Sequence, residues 1–162
     1  MLSGGSMQQT KKNQGFTLIE LMVTVAIMAI IAMMAAPSMS NLLSSQNLNK
    51  SAQSMISVLN EARAQAVLTR QDVTVNLSID PVSPTSDQLA KMKQKTLFGW
   101  SPSGKSALKA AVNPIVFDMT GKLSSSTADI QIEVCNEASG KKSKVITISR
   151  IGAIQRVIEG TC

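Results

Sequence analysis

Between Leu21 and Asn49 the chain has no charged residue, and the apolar core of that gap runs from Leu21 to Ala36. Twenty helical residues at 1.5 Å each cover about 30 Å, the thickness of a bilayer's hydrocarbon core. No other feature narrows the fold so much, because a segment of this kind needs lipid or other helices around it. Directly before it stands Gly15-Phe16-Thr17-Leu18-Ile19-Glu20-Leu21, which follows a short polar leader containing Lys11 and Lys12. Basic residues before the span and a large domain after it predict a cytoplasmic leader and an external C-terminal domain. Glu20 is the anomaly: a carboxylate in a membrane helix costs roughly 2.5–3.5 kcal/mol at the centre, less near an end. At the start of a helix the free N–H groups favour its negative charge.

Other readings of the run fit less well. A cleaved secretory signal ends in a small-residue A-x-A pattern, which Met34-Ala35-Ala36-Pro37 lacks. A buried helix of a water-soluble domain would rarely stay uncharged for so long. An ordinary membrane anchor accounts for the hydropathy, but not for the Gly-Phe junction or Glu20.

The junction, the carboxylate and the run together resemble the class III signal of type IV pilins and type II secretion pseudopilins. The resemblance implies that a prepilin peptidase cuts between Gly15 and Phe16 and methylates the new amino group of Phe16. It implies that Glu20, fifth in the mature chain, neutralises the N-terminal amine of a neighbouring subunit during assembly. The expected parts are a leader at 1–15, a long helix at 16–70 with its transmembrane part at about 17–37, and a periplasmic β-rich domain at 71–162. Implied partners are other major and minor pilins, the peptidase and the inner membrane. Either Met1 or Met7 can start the chain.

The roughly 110 residues beyond the span suffice for one modest core. With no Tyr, one Trp and three Phe, that core must rest on aliphatic side chains. Histidine is absent, which removes the commonest general base and metal ligand. No catalytic constellation, cofactor site or metal site is expected. Cys135 and Cys162 are the two cysteines, and in an exported domain they read as one disulfide, with two free thiols as the alternative. Such C-terminal disulfides occur in pilin-like proteins.

Pro37 should bend the helix without ending it. Beyond it, Ala52, Met55, Ile56, Leu59, Ala62 and Ala66 follow the spacing of an amphipathic helix. Leu59–Val67, running into Val73–Leu77, is similar to the GspH/FimT group of minor pilins and pseudopilins, where an A-R-x-x-A helix end leads into the first strand. The chain tends towards the FimU-like members of that group. Arg63 is read as part of a solvated helix face. Val73–Ile79, Thr96–Trp100, Ile115–Asp118, Ile130–Cys135, Lys144–Ser149 and Ala153–Val157 are strand candidates. Pro81–Ser86 is read as a loop and Leu89–Lys95 as an exposed basic stretch. Phe117-Asp118-Met119-Thr120-Gly121 resembles a turn of the family, and Gly140–Ser143 reads as a hairpin tip. The class is α+β: a long helix packed on a small antiparallel β domain.

Gly99-Trp100-Ser101-Pro102-Ser103-Gly104-Lys105-Ser106 matches the P-loop pattern G-x-x-x-x-G-K-[ST]. A P-loop opens a crossover helix within a parallel sheet, and here Asn113-Pro114 stops any helix early. Ser-Pro-Ser-Gly is ordinary turn chemistry.

From Lys50 onward 14 basic residues face 9 acidic ones, an excess that favours anionic partners. Some members of the FimT type bind DNA through a Gly-Arg-x-Arg motif near the C-terminus. At the matching place Gly152 is followed by Ala153 and Gln155, so the motif is not reproduced. Residues six apart share one strand face, so one reading has Arg150 and Arg156 join Lys141, Lys142 and Lys144 in a surface for the phosphates of duplex DNA. The favoured reading is a solvated basic hairpin that aids solubility or contacts a neighbouring pilin. The functional expectation is a minor type IV pilin in priming, assembly or the pilus tip. A DNA-uptake pilin and a type II secretion pseudopilin are the alternatives.

Overall fold

The computed structural model describes residues 16–124 and 126–162, apart from the side chains of residues 35–38. The leader with Gly15 therefore lies outside the described residues, as does the side chain of Pro37, where a bend is expected. Helix α1 spans Leu18–Thr69 and is not ended by the proline. It terminates where Arg70 takes φ 53°, the left-handed conformation common just past a helix end. The chain divides into two compact units, residues 1–39 and 40–162. The second half of α1 thus belongs to the same unit as the sheets.

In the first unit every described side chain from Phe16 to Met34 is exposed. Among the described residues no single helix is long and apolar enough to cross a membrane. Leu18–Met34 and Met39–Thr69 meet the requirement when taken together.

The second unit holds two sheets. β1 (Val73–Asn76) lies between β2 (Leu97–Gly99) and β4 (Ile115–Phe117). The other sheet has the order β3 (Ala107–Leu108), β5 (Ile130–Cys135), β6 (Ser143–Ile148), β7 (Ile158–Gly160). All pairs are antiparallel except β1 with β2. That parallel pair needs a crossover, and α2 (Ser86–Lys93) supplies it. The expected antiparallel domain thus contains one parallel ladder.

The expected amphipathic face of α1 is the core. Leu48, Ala52, Met55, Leu59, Ala62 and Ala66 are buried in one cluster with Val73, Val75, Ile115, Phe117, Ile132, Val134, Ile146 and Ile148, while Ile56 packs at its margin. Each large side chain so buried contributes about 1.5–3 kcal/mol. The alanines contribute less by area, but their size lets the helix backbone lie close to the sheets.

Three expected elements differ. β1 stops at Asn76 instead of Ile79, because the Asn76 side chain accepts the Ser78 N–H at 2.9 Å and turns the chain. The stretch after Pro81 is not all loop: Thr85 accepts the Gln88 N–H and Gln88 accepts the Thr85 N–H, a capping box that starts α2. The expected strand Ala153–Val157 is irregular. It keeps one bridge, Ile154 to Ile148, and the ladder resumes only at Ile158 opposite Val145. Four steps along the tail therefore match three along β6, which is a one-residue bulge.

Candidate functional site

Thr17 starts α1. Its hydroxyl accepts the Glu20 N–H at 3.3 Å and its carbonyl accepts the Leu21 N–H at 3.2 Å, so it acts as the helix N-cap. This fixes Glu20 one turn into the helix, exposed, beside Phe16, which is 86% exposed. Phe16, Glu20, Leu21 and Thr24 line a shallow groove. Among the described residues the Glu20 carboxylate has neither hydrogen bond nor ion pair. An unpartnered carboxylate within an apolar, fully exposed helix end is a group suited to a partner from another molecule.

The second half of α1 is tied to the sheets by polar hooks on its core side. Ser54 Oγ accepts the indole N–H of Trp100 at 2.9 Å, and the buried Ser51 Oγ accepts the Ser103 N–H at 2.8 Å. Both bonds fall in the segment with the P-loop pattern. No helix follows that segment; β3 does. One of its backbone donors is already used by α1, and Gly104 takes φ +62° packed against Asn47. The segment is a buckle between helix and sheets rather than a phosphate cradle. Among the described residues no group of three or more His, Cys, Asp and Glu could hold a metal.

Arg63 is half-buried, and this corrects its reading as a solvated residue. Its Nε donates to the Gly121 carbonyl at 3.0 Å and its Nη2 to the Ile151 carbonyl at 3.3 Å. One guanidinium thus clasps two turns far apart in sequence, one at Phe117–Gly121 and one at Ser149–Gly152. Both turns use a left-handed glycine, Gly121 at φ +76° and Gly152 at φ +77°.

The Phe117–Gly121 turn also has an internal brace. Asp118 Oδ1 accepts from the Thr120 hydroxyl and N–H, both at 2.7 Å, and from the Lys122 N–H at 3.0 Å. These bonds, the Thr120 hydroxyl first, hold the Asp118 carboxyl below its usual value of 3.8. A lowered folded value means stability that is present above the unfolded value and lost as pH falls through the folded one. Asp118→Asn should therefore lower stability at about pH 7 and flatten the acid limb below about pH 4. Urea midpoints of both proteins at several pH values check this; parallel acid limbs would contradict it.

Cys135 and Cys162 form the expected disulfide, across a sequence separation of 27. Nearby, Glu133 accepts from Ser143 Oγ and pairs with Lys109 at 3.0 Å. The Ser143 bond, followed by the Lys109 bond, lowers the Glu133 carboxyl below its usual value. Lys109 also reaches the Thr161 carbonyl at 3.0 Å, a second tie on the C-terminal segment.

The basic residues that one reading groups into a surface for duplex DNA do not share one strand face. Lys141 and Lys142 lie in the β5–β6 loop and Lys144 on β6, opposite Glu159. Arg150 lies in the turn beyond the other end of β6, its N–H bonded to Asp129. Arg156 follows that turn, inside the bulge. The six-residue spacing that would align Arg150 with Arg156 holds only on an unbroken strand, and both the Gly152 turn and the bulge break it.

The prokaryotic N-terminal methylation motif matches residues 10–36, and the family described as type II transport protein GspH matches residues 51–152. Among solved structures the chain is similar to the type IV minor pilin FimU of Pseudomonas aeruginosa. Identity there is 17%, over 68% of this chain and 88% of that one, with a TM-score of 0.47. A comparison with curated proteins returned no match. The family is one of structural, non-enzymatic proteins, and its match covers more than half of the chain. With the methylation motif joined to a GspH domain, the chain belongs to the GspH/FimT family of type IV pilin-like proteins.

Proposed function

We propose that this chain is a minor type IV pilin, cut after Gly15, methylated on Phe16 and stored in the inner membrane through residues 17–37 before it enters a filament. The observation that carries this reading is the first unit: an apolar helix exposed on every side from Phe16 to Met34, with Glu20 unpaired near its start. A helix apolar all round needs apolar surroundings, and in turn lipid and the packed helices of a filament supply them. Glu20 then meets the amino terminus of a neighbouring subunit. The β domain stands on the periplasmic side, where its disulfide is stable, and makes the contacts that prime assembly or cap the tip.

A type II secretion pseudopilin is the second reading, favoured by the description of the family that matches residues 51–152. Duplex DNA is a weaker partner, since the basic residues are spread over both ends of β6.

Co-expression with a prepilin peptidase, followed by intact-mass and N-terminal analysis, tests the proposal. The expected product begins at methylated Phe16. Gly15→Val should leave the leader attached, while Glu20→Ala should be processed yet be missing from sheared filaments. Cleavage after Ala36, or none, would overturn the reading. Recovery from surface pili, or only from a secretion pseudopilus, separates the two systems.

A further inference from the structure

β5 is paired on both sides over only part of its length. β3 covers Val134 and Cys135, and the Lys109 N–H adds one more bond, to the Glu133 carbonyl at 2.9 Å. The chain then leaves along Ala110–Pro114. In an antiparallel ladder each residue directs its N–H and C=O to one side, and the side alternates along the strand. The Thr147 carbonyl accepts the Gln155 N–H at 2.8 Å, on the side away from β5. Gln131 stands opposite Thr147, so its own N–H and C=O point away from β6, to the side on which Lys109 meets Glu133. Among the described residues no backbone group meets them there.

Beside Gln131 lies an open cleft of about 510 Å³, walled by Lys109–Pro114 on one side and by Ile130, Gln131 and Val145 on the other. Its two charged residues, Lys109 and Glu133, pair with each other at 3.0 Å. The other strand edges are guarded, as strand edges normally are. α2 lies against β2, and Leu123 and Ser124 close the outer side of β4. β7 carries the exposed Glu159, and β3 is only two residues long. The stretch Ile130–Ile132 has neither charge nor proline, and its register with β6 runs without a bulge.

A free donor and a free acceptor on one extended residue fit the backbone of another extended chain. The domain's own excess of cations, 14 basic against 9 acidic residues from Lys50 onward, repels a second copy and favours an acidic partner. We infer that the cleft takes an extended, uncharged segment of an acidic neighbouring subunit, which joins β5 at Gln131 and continues the ladder where β3 leaves it. Val112, Ile130 and Val145 offer that segment apolar contact. This rests on the filament reading proposed above and names the edge by which the β domain holds its neighbour.

The full chain, with a photo-crosslinking side chain in place of Asn113 on the cleft wall, is expressed in cells that assemble the filament, irradiated and mapped by mass spectrometry. Gln131→Ala removes only the side chain, whereas Gln131→Pro removes the amide donor. The adduct should join residue 113 to an uncharged stretch of an acidic subunit. Its yield should hold in Gln131→Ala and fall about tenfold in Gln131→Pro. If Gln131→Pro does not form the Cys135–Cys162 bridge and so has not folded, Gln131→Lys, which places a charged guard on the edge, should show the same loss. An adduct to a second copy of this chain, to lipid or to duplex DNA would overturn the inference. So would an undiminished yield in the folded proline or lysine variant, or no adduct in filaments that contain the chain. Absence of the chain from sheared filaments and from a secretion pseudopilus would instead overturn the filament reading beneath it.

Discussion

Gly152→Ala should cost the β domain about 3 kcal/mol or more, although it adds a single methyl group. At φ +77° an L-residue pays about 1–2 kcal/mol. The new Cβ would also overlap the Gly121 carbonyl oxygen, and Arg63 Nε lies only 3.1 Å away. Backbone cannot swing aside as a side-chain tip can, so one of the two turns must move. The Arg63 bond to Gly121 is then lost, and a bond to a charged donor contributes about 1.5–3 kcal/mol. Gly121→Ala is the matched comparison. Its φ is similar, but its Cβ meets no backbone: the nearest atoms are the Val67 side chain at 3.0 Å and Arg63 Nε and Cγ at 3.2 and 3.3 Å, all on side chains, and Val67 is 48% exposed and free to yield. That change should cost about 1–2 kcal/mol. Urea unfolding of residues 40–162 gives both numbers. If Gly121→Ala proves the worse of the two, the clasp by Arg63 is not what holds these turns.

Replacing Cys135 and Cys162 by Ser is the other large expected effect. The bridge closes a loop of separation 27, worth roughly 3–4 kcal/mol on the chain-entropy account. For a domain of this size, Tm should fall by roughly 10–15 °C. The loss should also be local. β7 is an edge strand of three residues, all at least partly exposed, paired only with β6. Once the bridge is gone, the Lys109 bond to Thr161 remains as its tie beyond the ladder. Hydrogen exchange should accelerate first across Ile158–Gly160, while Ile130–Val134 stays protected. Unchanged Tm in the double variant, or faster exchange spread evenly over β5 and β6, would contradict this account.

Local chemistry explains which parts of the fold were legible in the sequence. The core face of α1 was readable because Ala52, Met55, Leu59, Ala62 and Ala66 follow the helical period without interruption. β5 was readable to the residue, since Ile130–Val134 alternates apolar and polar side chains and runs into Cys135. α2 was missed although its signal is present: Thr85 and Gln88 stand three apart, as a capping box requires, but Pro81 and Pro84 suggested a loop. The tail was misread because Ala153–Val157 has strand composition and nothing in that composition marks a bulge. Arg63 shows a different limit. Its spacing fits a solvated helix face, and its two carbonyl partners lie 58 and 88 residues away, beyond what periodicity can report. At the candidate site, the Gly-Phe junction and Glu20 were legible because each answers to local chemistry. The hydrogen bond from Asn136 to Ser44 crosses 92 residues and was not.

The crossover helix α2 has no buried residue, and its capping box and its ends hold it in place. Its central residues thus give the domain almost no adhesive surface, although the segment joins two neighbouring strands of a sheet. The turn before it, where Asp80 accepts the Val82 N–H at 2.9 Å and Val82 is 86% exposed, is the natural graft point for a foreign epitope or a fluorophore. A reporter there would ride on the subunit without displacing a core side chain, and so give a means of counting copies in a filament.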